Sequence, residues 1–236
     1  MNIGYKSLIA LGLLIAVAVT VLTSSKPNKV SAFQAGVVPG SLEALANNCL
    51  EHNLQSVTIP AYNLWHEGVS GIDEAASVYS IVIAHPLSKH SFVLDSESHL
   101  IESWYRFAIT EVLSLKPFST CTECPPSPDP PASLLPLGPG QLLVAHNGGS
   151  VTVNGVEINS IDQAFPDYQM SQNYLLFLRM DTSKRVGRTS LGPAAVFTIS
   201  SNGTLATVAE GTHPLAQDII ERYGNSVANL RAALIP

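Results

Sequence analysis

From Gln141 to Val208 the hydrophobic and polar positions follow strand periods. The centre of this stretch is Tyr174-Leu175-Leu176-Phe177-Leu178, the most continuous apolar run outside the N-terminus. A short run rich in aromatic and aliphatic groups reads as a strand buried on both faces. Two hairpin signals flank it. In the first, Val151-Thr152-Val153 and Val156-Glu157-Ile158 meet at Asn154-Gly155, which supplies the positive φ that a type I′ turn needs at both central positions. That turn sets Val153 opposite Val156 and Val151 opposite Ile158 on an apolar face, with Thr152 and Glu157 on the other. By the same rule Asn202-Gly203 sets Ile199 opposite Ala206 and Phe197 opposite Val208, with Thr198 and Thr207 sharing the opposite face.

The upstream pattern is more broken. Ser41 can cap a helix over Leu42–Asn53, whose Leu42, Leu45 and Cys49 share one face. Ser56 to Ile59 reads as a short strand ended by Pro60, and Ile72 to Ala76 as one helical turn with Asp73 and Glu74 at its start. A barrel core is expected from Ser77, with strand pieces at Val78–Ala84 and Phe92–Leu94. Ile101 to Leu113 is a long strand. Tyr105, Phe107 and Ile109 share one of its faces, and Trp104, Arg106, Ala108 and Thr110 the other. The phase slips at Glu111, which predicts a β-bulge that bends the strand as a barrel requires.

Eight of the sixteen prolines fall between Lys116 and Pro139, so neither helix nor ladder can continue there. This segment reads as a long exposed insertion, residues 116–139, mobile and dispensable over 118–138. Leu142–Ala145 and a Gly148-Gly149 break follow. Met180 to Pro193 reads as a polar loop. Thr212 and Pro214 open a C-terminal helix over 213–234, whose apolar stripe from Leu215 to Leu234 runs through Gly224.

About 200 residues beyond the N-terminus suffice for one domain with a real core. Charged residues are 13% of the chain and the net charge is −6, which excludes a basic nucleic-acid binder and a highly charged disordered chain. Residues 1–25 form a targeting segment, with Lys6 ahead of an uncharged, mostly apolar run from Ser7 to Thr23. Seventeen helical residues span roughly 25 Å, a little short of a ~30 Å hydrocarbon core. Val30-Ser31-Ala32 is a small-residue cleavage signal. A cleaved signal peptide and a single-pass membrane anchor both fit, and both export the rest. Residues 26–40 form a linker, and 41–236 the β-barrel domain.

Several of these segments, taken in order, resemble a group of uncharacterised bacterial exported proteins. They are the short helix leading into a Val/Ile strand (Ile72–Ala84), the aromatic strand ending Glu-Val-Leu (Trp104–Leu113), the Gly148-Gly149 break, the Tyr174–Leu178 strand and a phenylalanine strand into Asn-Gly. The resemblance covers about residues 70–210. It implies a small OB-like antiparallel β-barrel and offers no catalytic residues; the proline-rich insertion departs from the pattern.

Candidate chemistry is sparse. Cys121-Thr122-Glu123-Cys124 is the sharpest motif, but Pro125 and Pro126 block the helix a redox pair normally opens, and no histidine follows for haem attachment. A four-thiolate zinc site would need a second pair, which Cys49 alone does not give. In an oxidising compartment a Cys121–Cys124 disulfide, or a bridge from Cys49 to one of the two, is the plain reading. The seven histidines form no HExxH or HxH pattern; His85, His90 and His99 are near enough in sequence to meet across a hairpin. Gly68-Val69-Ser70-Gly71 misses the nucleophile-elbow spacing, and no phosphate-cradling glycine loop is present. Lys184, Arg185 and Arg188, with Arg179, are candidates for contact with an anionic lipid or polymer; a solvated loop is the commoner explanation.

The expectation is therefore a mainly β, OB-like barrel with flanking N- and C-terminal helices, exported or membrane-anchored through its N-terminal segment. It should act as a non-catalytic binding module of the bacterial cell envelope. Its partner would be an envelope protein or polymer, with no cofactor and no nucleic acid. The alternative is an extracytoplasmic hydrolase or thiol-redox enzyme whose groups converge only in three dimensions.

Overall fold

A computed structural model of the chain describes residues 40–61, 68–116, 129–209 and 213–235. The N-terminal apolar run, the Cys121/Cys124 motif and Thr212 lie outside the described residues. Where the local signals are strong, the backbone follows them. Asn154 and Gly155 take φ of 49° and 82° and join β5 (Gly149–Val153) to β6 (Val156–Ile161) in the expected register, Val153 opposite Val156 and Val151 opposite Ile158. Ser41 caps α1 (Leu42–Glu51), which buries Leu42, Leu45 and Cys49. The apolar run at Tyr174–Leu178 is buried throughout in β7 (Asn173–Asp181).

The described residues are mainly β, with ten strands in two sheets and four α-helices. In the smaller sheet β1 (Ser56–Pro60) pairs parallel with β6, and β6 antiparallel with β5. The larger sheet contains β2 (Ser80–Asp95), β3 (Leu100–Ser114), β4 (Gln141–Asn147), β7, β8 (Val186–Arg188), β9 (Val196–Ile199) and β10 (Leu205–Thr207). Its order is β10-β9-β7-β2-β3-β4-β8, and β8 also pairs with β7. The pairings β7-β2-β3-β4-β8 thus return to β7. All are antiparallel except β4–β8.

Several expectations change. β2 is one strand of 16 residues. Pro86 is tolerated inside it because only Ser80–Ala84 also pair with β7, so beyond Ala84 the strand has a free edge and no ladder bond is lost. A register shift between Pro86 and Ser88 absorbs the rest. The expected bulge lies beside Glu111: Ile83 pairs with Glu111 and Ala84 with Ile109, leaving Thr110 as the extra residue. The second hairpin is one residue out of the expected register, with Ile199 opposite Leu205 and Phe197 opposite Thr207. Of its turn residues only Gly203 adopts positive φ, so a longer loop closed by Gly203 N–H to Ser200 O replaces the two-residue turn. The polar loop after Met180 contains β8. The C-terminal helix is two helices, α3 (Pro214–Tyr223) and α4 (Val227–Leu234). Gly224 in the left-handed region ends the first, Ser226 caps the second, and His213 Nδ1 caps the start of α3.

Three apolar clusters hold these elements. The largest lies on the faces of β2, β3, β4, β7 and β9 that carry Ile81, Tyr105, Phe107, Val144, Phe177 and Phe197. It also takes in Ile72 and Ala75 of α2 (Ile72–Val78), Leu215 and Ile219 of α3, and Leu230 of α4. A second joins α1 to the small sheet through Leu45, Cys49, Val57, Ile59, Val156 and Ile158. The third lies on the other face of β3, β4 and β8. There Trp104, Leu143, Ala145 and Val186 meet Leu134 and Leu137 from the end of the proline-rich insertion. That limb is therefore exposed but anchored: Ala132, Ser133, Leu135 and Pro136 face solvent, while Leu134 and Leu137 are buried.

Gly148 and Gly149, with φ of 92° and 136°, make the break between β4 and β5. A Cβ at Gly149 would fall on the hydroxyls of Ser103 and Ser91, and one at Gly148 on the carbonyl oxygen of Ser160. Only glycine lets the chain turn from one sheet into the other this close to β3.

Candidate functional site

The third cluster sits within a polar lattice fixed by strand register. Residues directly opposite one another share a face. Trp104 of β3 lies opposite His90 of β2 and Ala145 of β4, and Ala145 opposite Arg188 of β8. One row over, Arg106 lies opposite Ser88 and Leu143, and Leu143 opposite Val186. On the far side Glu102 lies opposite Phe92 and Asn147. One face of β3 thus presents Glu102, Trp104 and Arg106 in succession, while Ser103, Tyr105 and Phe107 point the other way.

Glu102 is 2% exposed. Loss of water pushes its carboxyl above the usual carboxylate range, opposed by the positive charge of Arg188 and by the Trp104 indole. The contact with Arg188 is loose, Nη2 to Oε2 at 3.5 Å. Glu102 Oε1, Arg188 Nε and Arg106 Nε are all buried without a hydrogen-bond partner. Glu102 is buried, but the Arg188 side chain is 40% exposed, so this long contact offsets only part of the desolvation of the carboxylate.

Over this face lies a strap, residues 129–138. A 3-10 turn at Ala132–Leu134 shapes it, with Leu134 N–H to Pro131 O and Leu135 N–H to Ala132 O. It adds no strand to either sheet. Arginines hold its backbone instead. Arg106 Nη2 donates to Leu134 O at 2.7 Å, and Arg185 Nη1 and Nη2 donate to Gly138 O and Leu137 O at 2.7 and 2.8 Å. Leu134 and Leu137 fill the apolar floor between Trp104, Leu143 and Val186.

The cations singled out in the sequence have separate engagements. Lys184 pairs with Asp129 at the start of the strap, Arg185 holds its end, and Arg188 meets Glu102. Arg179 lies opposite Arg188 across the β7–β8 pairing, with its guanidinium 4.9 Å from the centre of the Tyr79 ring. Cys49 is a free, buried thiol whose pKa burial raises. His85 and His90 lie along β2 opposite Ala108 and Trp104, His99 meets the Gly40 carbonyl, and no group of three metal-ligating side chains converges among the described residues.

A second polar cluster, unmarked in the sequence, lies on the opposite face. His146 of β4 is 5% exposed, packs on the rings of Phe165, Tyr168 and Tyr105, and donates from Nε2 to Phe165 O at 3.2 Å, leaving Nδ1 without a partner. Burial lowers its pKa. Asp167 accepts from Tyr105 Oη at 2.7 Å and pairs with Lys89. Segment 165–168 thereby closes over this face as a packed aromatic plug.

The residues sequence reasoning missed are Glu102 and the strap leucines. A period-2 run of Glu, Trp and Arg opposite an aromatic face was the available signal for the first. The strap contacts join residues distant in sequence and leave no local mark. Comparison of the chain with protein-family models, with curated proteins and with solved structures finds no match.

Proposed function

We propose that this chain is a non-catalytic binding module of the bacterial cell envelope, built on a small OB-like β-barrel. The returning pairing order β2-β3-β4-β8-β7, with its single parallel step between β4 and β8, supports the barrel reading. In OB barrels the face of the second and third strands receives extended polymers. Here those strands are β3 and β4. The apolar run at Ser7–Thr23 supports placement outside the cytoplasm.

One observation carries the binding reading: Glu102 Oε1, Arg106 Nε and Arg188 Nε lie buried and unpartnered on that one face, around an indole. Each such atom costs on the order of 1–3 kcal/mol, more when charged, and an apolar residue of similar shape would remove the cost. A buried polar group without a partner calls for one, and an outside ligand is the partner this reading supplies. A row of acid, indole and guanidinium beside the apolar floor of Leu143 and Val186 suits a partner with both polar and apolar groups.

The test uses protein carrying Trp65→Phe, which leaves Trp104 as the only indole. Isolated cell-wall polymer and envelope-protein fractions are titrated while Trp104 emission is followed. The expected result is a saturable shift that is lost when Glu102→Gln and Arg188→Gln are combined. An equal shift in that double variant, or none with any fraction, sinks the proposal. Release of soluble fragments from the polymer would turn it toward the hydrolase reading.

A further inference from the structure

We infer that the strap is an intramolecular pseudo-ligand, and that the natural partner of the face is a protein segment of the same chemistry: a proline-flanked peptide with leucines three residues apart that takes up the same single 3-10 turn. This rests on the binding-module reading and names the partner class for that face. The strap shows how such a segment is read. Two leucines, Leu134 and Leu137, enter the apolar floor beside Trp104. Three consecutive-limb carbonyls, from Leu134, Leu137 and Gly138, accept from two arginines. Prolines 130, 131, 136 and 139 restrict the limb before it docks, which lowers the entropy lost on binding. Aromatic-lined grooves read proline-rich segments in this way, with side chains of the receptor bonded to backbone carbonyls of the guest.

The strap packs on this face but leaves one of its buried groups without a hydrogen-bond partner. Glu102 Oε1 receives no donor from the strap. The strap residues buried on this face, Leu134 and Leu137, carry no polar side chain that could serve it. An incoming segment with the same leucine spacing and a lysine, arginine or amide group near Glu102 would make every contact the strap makes and one more. A competitor with that advantage displaces the strap, so the module is masked until its partner arrives.

The experiment uses a fluorescent synthetic peptide of residues 129–139 and the full-length protein. Wild type should bind it weakly, because its own strap holds the site. The variant Leu134→Ala with Leu137→Ala, whose strap is loosened while the face is intact, should bind at least tenfold tighter, and a peptide with alanine at the positions of Leu134 and Leu137 should not bind either protein. If the double variant does not fold, Leu134→Ala alone serves, with a smaller expected gain. A folded variant that ignores the peptide but still shows the Trp104 response to an envelope fraction overturns the peptide assignment and leaves the binding module standing. Loss of both responses overturns both. A wild-type dimer that the free peptide dissociates would make the partner a second copy of this chain and overturn the assignment to a foreign segment.

Discussion

Arg106 and Leu134 are joined by a 2.7 Å bond from a guanidinium on β3 to a carbonyl oxygen of the strap. Through it a limb that belongs to no sheet becomes part of the packing. Replacement of residues 129–138 by a Gly-Ser linker should therefore destabilise the protein. At about 1.5–3 kcal/mol for each fully buried leucine, the loss of Leu134 and Leu137 predicts roughly 3–6 kcal/mol. Urea unfolding measures it; an unchanged midpoint would show that the limb only rests on the surface.

Phe177 is fully buried at the centre of β7, against Phe197 at 5.9 Å between ring centres. Phe177→Ala should cost roughly 3–5 kcal/mol, because the surrounding strands cannot collapse into the space. Denaturant melts test this, and a loss below ~1 kcal/mol would place the core elsewhere.

Gly149→Ala should cost roughly 1–3 kcal/mol, since it adds a methyl group where two serine hydroxyls already stand. Ser103→Ala in the same chain removes one of those hydroxyls and should recover part of the loss. No recovery even with Ser91→Ala added would assign the cost to the positive φ.

Acid should weaken the fold through His146. Its folded pKa is lowered by burial, so the stability tied to its neutral form is present above the ordinary histidine range and is lost as pH falls through and below about 6.5. The limiting slope is about 1.4 kcal/mol per pH unit for one proton. Asp167 and Asp162 attract the charged form and Lys89 repels it. Glu102 works in the opposite sense: its raised pKa relieves a buried charge as pH falls toward the carboxylate range. Urea midpoints between pH 7.5 and 5 should fall less steeply in His146→Gln than in wild type. Parallel curves would remove His146 from the account.

Reductant should change stability little. A bridge between Cys121 and Cys124 closes a very small loop and gains little chain entropy, and Cys49 is a free thiol inside the second cluster. A bulky maleimide should label Cys49 only on unfolding. A large drop in melting temperature on reduction would mean that a longer bridge exists.

What was legible in the chain was local. The Tyr174–Leu178 run, the Asn154-Gly155 turn and the phase slip beside Glu111 each specify their geometry within a few residues. β8 is the opposite case. It has three residues, one of them glycine, inside a polar stretch, yet it supplies both pairings that bring the sheet back to β7. Pro86 disguised a continuous strand because the edge that tolerates it is set by where β7 stops. The apolar stripe from Leu215 to Leu234 hid the break at Gly224, since both helices face the same core. At the candidate site the alternation of Glu102, Trp104 and Arg106 was visible, but Arg188 and the strap reach that face only through tertiary pairing.

The parallel pairing of β1 with β6 sets Ser56 beside Glu157, about a hundred residues further along the chain. Closing so long a loop carries a large entropic cost before any contact offsets it, and parallel pairing of this kind is slow. During synthesis α1 and β1 emerge first, yet the core they share with Val156 and Ile158 cannot exist until β2, β3 and β4 have been made. The order of emergence and the order of closure are therefore opposed. Until β6 arrives, the apolar faces of Leu45, Val57 and Ile59 lack the partners that cover them in the finished fold, so the first-made part of the domain is the last to be sealed.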